Sequence, residues 1–249
     1  MRFIVLPLLA ACGMGAAPPP DRLTVLAASS LSEAFADLEA VFEARHPGVD
    51  VVISFAGSQA LSTQVRHGIS ADVFASADEE HVASLTAEGQ AGTPRAFAGN
   101  TLVLVVSDRL DQPITLETLP ELGSLVVGDD SVPVGRYTRA LFDAAELQHG
   151  AQWRAAVESR IVSREPSVRL AAAKVALGEA DAAIVYATDV IGLSGVHAVA
   201  LPEAMRTPAA YFHAPLSTSE GTLAQEWIAL VESPTGQGVL SARGFKPLL

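Results

Sequence analysis

Apolar and polar positions along this chain switch repeatedly between two periods. Residues 22–28 form a short apolar run that reads as a strand, and Leu31, Phe35, Leu38 and Phe42 then recur at helical spacing up to His46-Pro47-Gly48. Val49, Val51, Ile53 and Phe55 alternate as in a strand, and Ala56-Gly57-Ser58 turns the chain into a short helix carrying Leu61 and Val65. Residues 71–75 (ADVFA) predict a further strand, and Asp78 can cap a helix running to Gly89. Residues 101–106 (TLVLVV) are apolar almost throughout, as in a strand covered on both faces. Beyond the Pro- and Leu-rich segment 113–122 the pattern restarts. A strand at 125–127 precedes a helix with Tyr137, Ala140, Leu141 and Ala144 on one face. A strand at Ile161-Val162, a helix capped by Ser167 and ending at Gly178, and a buried strand at 182–186 (AAIVY) follow. Residues 209–214 read as extended and 222–232 as helical. This β-α-β-α succession predicts an α/β protein built of two doubly wound units.

Four of the strand-to-helix junctions are neutral: Ser29-Ser30, Gly57-Ser58, Pro133-Val134 and Ser167-Val168. A helix N-terminus carries unpaired backbone N–H groups and about half a positive charge, which suits an anion. None of the four junctions places an acid-base pair or a metal cluster there. Several such ends in one fold make a pocket of donors with little chemistry in it, and the expected function is binding of a small oxyanion.

Composition narrows the classes. At 249 residues the chain holds one large or two modest domains without disulfide stapling, and 49% hydrophobic against 18% charged residues marks it as globular. A net charge of −12 argues against nucleic-acid binding. It is compatible with an anion site if helix ends set the local field and salt screens the surface beyond about 10 Å.

Residues 1–20 read as a targeting segment and tether. Arg2 is followed by a short apolar run from Phe3 to Leu9, too short for the ~20 residues that span a bilayer. Leu9-Ala10-Ala11-Cys12 is similar to a bacterial lipobox, in which the cysteine is lipidated; Cys12 is the only cysteine, so no intramolecular disulfide can form. The alternative is an ordinary cleaved signal with a chance cysteine.

Motifs for other chemistry are missing. There is no phosphate loop of the G-x-x-x-x-G-K-[ST] type and no G-x-S-x-G nucleophile elbow. The six histidines are scattered without zinc spacing, and Asp129-Asp130 reads as a turn or cap element rather than a metal site. Ser30-Leu31-Ser32-Glu33 matches a capping box with Ser30 at the N-cap, and Ser58 has the same bland reading as a cap. Tyr186 is by default a core aromatic, yet it closes a strand at the end where open α/β sheets bind ligands. Val134 and Val168 offer only backbone N–H groups. A rival from another class is a phosphate-ester enzyme in which Arg136, Arg139 and Arg169 clamp the phosphate; their plain reading is a solvated helix face.

In sequence order, VLAASSLSEAF (25–35), ISFAGSQAL (53–61), ADVFASAD (71–78), GNTLVLVV (99–106), VGDDSVPVGRY (127–137), EPSVRLAAAKVALGEADAAIVYATD (165–189) and GFKPL (244–248) resemble the periplasmic molybdate-binding proteins of ABC importers. The resemblance covers nearly all of 23–249. It implies a two-lobed periplasmic-binding-protein-like fold of type II with the ligand in the cleft, lobe I being 21–103 plus 206–249 and lobe II 104–205. It further implies an anion held by the Ser30 and Ser58 hydroxyls, the Val134 and Val168 amides and the Tyr186 hydroxyl, with Ser29 as the alternative register for the first serine. These residues would meet molybdenum only as molybdate oxyanion. The implied protein is a monomer outside the cytoplasmic membrane, anchored through Cys12, that passes molybdate or tungstate to a membrane permease. It needs no cofactor and performs no catalysis. Sulfate or another small anion is the alternative ligand.

Overall fold

The structure, a computed structural model, describes residues 21–206 and 208–247. The expected leader, residues 1–20 with Cys12, lies outside the described residues. In chain order the elements are β1 (Asp21–Ala28), α1 (Ser32–Arg45), β2 (Val49–Ala56), α2 (Ser58–Arg66), β3 (Val73–Ser76), α3 (Glu79–Ala87), β4 (Arg95–Ser107), β5 (Leu125–Gly128), α4 (Pro133–His149), α5 (Ala151–Glu158), β6 (Ile161–Glu165), α6 (Val168–Ala176), β7 (Ala182–Tyr186), β8 (Val196–Ala200), β9 (Pro208–Pro215), α7 (Leu223–Glu232) and α8 (Pro234–Ala242). Among the described residues no helix is long and apolar enough to cross a membrane.

The strands lie in the order β2-β1-β3-β9-β4-β7-β5-β6, with β8 on the remaining edge of β4. β1 pairs in parallel with β2 and β3, and β5 in parallel with β6 and β7. The long strand β4 joins these two groups. Its residues from Arg95 to Thr101 run antiparallel to β9, and from Leu102 onward it pairs with β7 and then also with β8. One strand thus serves two sheets, and the partner changes at Thr101/Leu102.

Both apolar runs that lack alternation are covered on two faces. Every residue of β7 is buried, and so is β4 from Leu102 to Ser107. In the first group α1 and α7 pack Phe35, Phe42 and Trp227 together, with Trp227 edge-on to both phenylalanines at 5.5 Å. Each is fully buried and contributes about 1.5–3 kcal/mol in transfer free energy. A smaller cluster around Leu26, Leu61, Phe74 and Leu85 covers the opposite face under α2 and α3.

Several local expectations are corrected. The capping box at Ser30 does not form. Residues Ser29–Leu31 make a 3-10 turn and α1 starts at Ser32 without a side-chain cap, because the Ser30 hydroxyl is engaged by Tyr211. Ser58 is the first helical residue of α2 rather than its cap. Asp78 and Ser167 do cap α3 and α6. On α4 the inner face is Val134, Thr138, Leu141, Phe142 and Ala145, while Ala140 faces solvent. Helices α5 and α8 and strand β8 carried no clear periodic signal. β8 buries little beyond Val196, α5 buries only Trp153 and Val157, and α8 is interrupted by two glycines.

Candidate functional site

The parallel strands carry the site at their C-terminal ends. β1 runs into the Ser29–Leu31 turn, β2 into α2, β5 through a short loop into α4, β6 into α6, and β7 ends on Tyr186. That is the end of a parallel sheet where backbone donors are left unpaired and ligands collect. Ser30, Ser58, Val134, Val168 and Tyr186 line one small cavity that opens to solvent. Ser29, Ala77 and Pro133 complete much of its wall. Sequence positions more than 150 residues apart are brought together by the sheet order.

Each of the five is buried, from 1% exposed at Ser58, Val134 and Tyr186 to 4% at Ser30 and Val168. Three helix N-termini meet there: Ser58 opens α2, Pro133-Val134 opens α4 and Val168 opens α6. First-turn N–H groups have no acceptor within their own helix, and proline at the first position of α4 gives up a donor that would be unpaired anyway. The side chains add hydroxyls. The Tyr186 hydroxyl is fully buried and has no hydrogen-bond partner among the described residues. Burial, reinforced by Tyr211, Tyr137 and Asp189, pushes it well above the ordinary tyrosine value, so it stays a donor at neutral pH. The Ser58 hydroxyl accepts the Ala77 N–H at 3.1 Å, and the Ser30 hydroxyl accepts from Tyr211 at 2.8 Å. Both serines are thereby held, each with its own proton still to donate.

The adjacent Ser29 also lines the cavity, but it is less buried, and its carbonyl accepts the Ser32 hydroxyl at 2.9 Å. One carboxylate stands behind this neutral wall. Asp189 is 2% exposed, and burial raises it to about 7, with Arg169 lowering and Glu33 raising it.

None of the three arginines that a phosphate clamp would need lines the cavity. Arg136 on α4 pairs with Asp78, reaches Glu80 at 3.2 Å and meets His81 Nδ1 at 3.1 Å. Arg169 on α6 pairs with Glu33 and donates to Ser32 Oγ at 2.7 Å. Arg139 faces Asp130 at 3.4 Å. Arg136 and Arg169 thus bind acids on elements of the other strand group, around the mouth of the cleft. A third link joins the same groups: Gln59 Nε2 donates to the Pro166 carbonyl at 2.8 Å. Gly57 lies against that carbonyl so closely that a Cβ there would come within 2.3 Å of it. The Asp129 carboxylate takes the Ser131 N–H at 3.0 Å and its hydroxyl at 2.7 Å, a turn device.

Three contributors escaped the sequence. Tyr211, Asn100 and Ala77 sit in or beside strands and read as structural positions; the pairing of β9 with β4 and β3 brings Asn100 and Tyr211 behind Ser30, and that of β1 with β3 and β2 brings Ala77 behind Ser58.

A mixed sheet whose halves share a strand, with a donor-lined cleft at the strand ends, defines a two-lobed solute-binding fold. The chain belongs to the bacterial extracellular solute-binding proteins, whose family profile matches residues 23–246. It is 36% identical over 230 residues to the molybdate-binding protein ModA of Mycobacterium tuberculosis, covering 90% of this chain and 84% of that one. Among solved structures it is similar to the periplasmic molybdate-binding protein of Azotobacter vinelandii, with TM-score 0.77, 22% identity, and coverage of 91% and 100%. The sulfate-binding protein SubI of Mycobacterium tuberculosis shares the fold at TM-score 0.81 and 19% identity, covering 92% of this chain and 87% of that one.

Proposed function

We propose that this protein captures molybdate, and tungstate with it, outside the cytoplasmic membrane and delivers the anion to the permease of an ABC importer. The observation that carries the reading is the cavity in which Ser30, Ser58, Val134, Val168 and Tyr186 meet without a charged side chain. The relative at 36% identity supports molybdate as the anion.

In this reading the two hydroxyl-bearing serines, the Val134 and Val168 amides and the Tyr186 hydroxyl hold the four oxygens. A fully deprotonated dianion accepts at every oxygen, so a pocket of donors fits it. Phosphate that still carries a proton aims a donor at a donor and loses about 1–3 kcal/mol. Sulfate has the same charge and a smaller radius, and a cavity sized for the larger anion leaves its oxygens with longer, weaker hydrogen bonds. Molybdate and tungstate are nearly the same size and are not separated. Lobe I comprises 21–103 plus 206–249 and lobe II 104–205; their closure over the anion presents the shape that the permease reads. The protein acts as a monomer, by recognition without catalysis and without a cofactor, and Cys12 anchors it through lipid.

The test is thermal unfolding of the soluble form starting near Pro18, with molybdate, tungstate, sulfate, phosphate or no anion at equal ionic strength. At a thousand times Kd, binding adds about 4 kcal/mol. For a chain of this size that raises the midpoint by roughly 8–16 °C. A rise with molybdate and tungstate alone supports the reading. A rise with sulfate alone changes the ligand, and no rise with any oxyanion rejects anion binding.

A further inference from the structure

Both serines of the cavity receive a hydrogen bond from behind, and in both cases the bond traces back to a backbone N–H. For Ser58 the link is direct, from Ala77 N–H at 3.1 Å. For Ser30 it runs through two side chains, Asn100 and Tyr211. The Thr101 N–H donates to Asn100 Oδ1 at 2.9 Å, which fixes the orientation of that amide. Asn100 Nδ2, which can only donate, then faces Thr188 Oγ1 at 2.9 Å and the Tyr211 hydroxyl oxygen at 3.4 Å. With its oxygen accepting from Asn100, Tyr211 turns its proton to Ser30 Oγ at 2.8 Å. Asn100 and Tyr211 are 2% and 0% exposed, so water does not compete for these bonds.

A backbone N–H cannot reverse, so the whole chain has one direction. Ser30 does not give its proton to Tyr211, because the Tyr211 proton already lies between the two oxygens, and no other acceptor among the described residues takes it. The proton is left for the cavity. We propose that Asn100 and Tyr211 are positioning residues that hold the Ser30 hydroxyl as an obligate donor, and that this enforced polarity, matched at Ser58 by the Ala77 N–H, is what rejects protonated oxyanions. The inference rests on the oxyanion-binding reading above and names the groups that set its specificity. The relay starts at Thr101, where β4 passes from β9 to β7, so it is anchored on the strand common to both halves of the sheet.

The two positioning residues fail in different ways, which separates this role from packing. In Asn100→Ala nothing donates to the Tyr211 oxygen. The Ser30 proton can then turn to it, and Ser30 can accept from a protonated anion. In Tyr211→Phe the proton gains no new acceptor, and only the support of the Ser30 hydroxyl is lost.

The experiment measures binding of molybdate, sulfate and phosphate by calorimetric titration or competition at pH 8, where sulfate and hydrogen phosphate carry equal charge and are similar in size. The proteins are wild type, Asn100→Ala, Tyr211→Phe, Ser30→Ala and the Tyr211/Ser30 double variant. Asn100→Ala is expected to raise the phosphate-to-sulfate affinity ratio by about 5-fold or more, the equivalent of one relieved unpaired donor. Tyr211→Phe is expected to leave that ratio unchanged. It should weaken molybdate binding by about 3–10-fold, as for one neutral hydrogen bond, and only while the Ser30 hydroxyl is present. An unmoved ratio in Asn100→Ala, or a Tyr211→Phe loss that persists in the Ser30→Ala background, overturns the proposal. If Tyr211→Phe does not fold, the Asn100→Ala ratio decides alone. Wild-type protein that binds none of the three anions rejects the underlying functional reading instead.

Discussion

The interior of the cleft and its rim are built from opposite materials. Inside, Ser30, Ser58, Val134, Val168 and Tyr186 present hydroxyls and amides and no charged side chain. Outside that lining, Arg136 binds Asp78 and Glu80, and Arg169 binds Glu33. The difference follows from solvent. A desolvated arginine would attract any phosphate ester or carboxylate, whereas neutral donors fixed by backbone geometry reward only an anion with an acceptor at each of their positions. At the rim, where Glu33 is about half exposed, paired charges cost little and are screened by salt. This also reconciles a net charge of −12 with an anion ligand: the rim acids Glu33 and Glu80 are exposed and paired with arginine, Asp78 is buried but paired with Arg136, and no acid lines the donor cavity.

The sharpest way to break that contrast is to remove one interior donor. Tyr186→Phe keeps the ring, which packs edge-on against Tyr137 and Tyr211, and deletes only the unpartnered hydroxyl. A hydrogen bond to a charged group is worth about 1.5–3 kcal/mol, so molybdate affinity should fall by about 10–150-fold. The melting temperature without anion should hold or rise, since the deleted group is buried and unpaired. Unchanged affinity by calorimetry would remove Tyr186 from the site.

The interior was more legible in the sequence than the rim. Strand-turn-helix junctions with Ser, Gly or Pro at the turn are local patterns, and they point to four segments that line the cavity, while the choice of Ser30, Ser58, Val134 and Val168 within them follows from the family resemblance. Tyr186 ends the apolar run AAIVY and reads locally as a core aromatic; its place in the site follows from the resemblance and from the strand's C-terminal end. The rim depends on pairs such as Arg169 with Glu33, 136 residues apart, and on Arg136 with Asp78; no local period encodes them. Read along one helix, those arginines look solvated or available for a phosphate. The capping-box reading of Ser30 failed for a related reason. The same hydroxyl that suits a cap is captured by Tyr211, 181 residues later in the chain.

Asp189 sharpens the comparison on the interior side, with a smaller expected effect per pH unit. It stands behind the neutral wall and keeps that wall neutral only while it holds its proton. Its folded value of about 7 lies above the ordinary 3.8, so between those limits the native state retains a proton that the unfolded chain releases. Stability therefore falls as pH rises through that window, by at most about 1.4 kcal/mol per unit, and levels off above 7. Asp189→Asn should flatten this slope, so that wild type and variant diverge in melting temperature from pH 5 to 7. Parallel curves would show that Asp189 is ionised throughout.

The smallest expected effect belongs to the rim. Arg169 lies on α6, one residue beyond Val168, and its guanidinium binds Glu33 and Ser32 on α1, just past Ser30. It therefore ties two walls of the cavity together without entering it. The pair is partly solvated, so Arg169→Ala should cost at most about 1 kcal/mol, or about 5-fold in molybdate affinity. The loss should fall on the dissociation rate, because a tie between walls resists reopening rather than guiding entry. Raising ionic strength from 0.01 to 1 M shortens the screening length from about 30 to 3 Å and should erase most of the difference from wild type. Stopped-flow release of molybdate at the two salt concentrations makes the comparison directly. A loss as large as that of Tyr186→Phe and indifferent to salt would mean that Arg169 acts on the anion itself, and that charge reaches the interior after all.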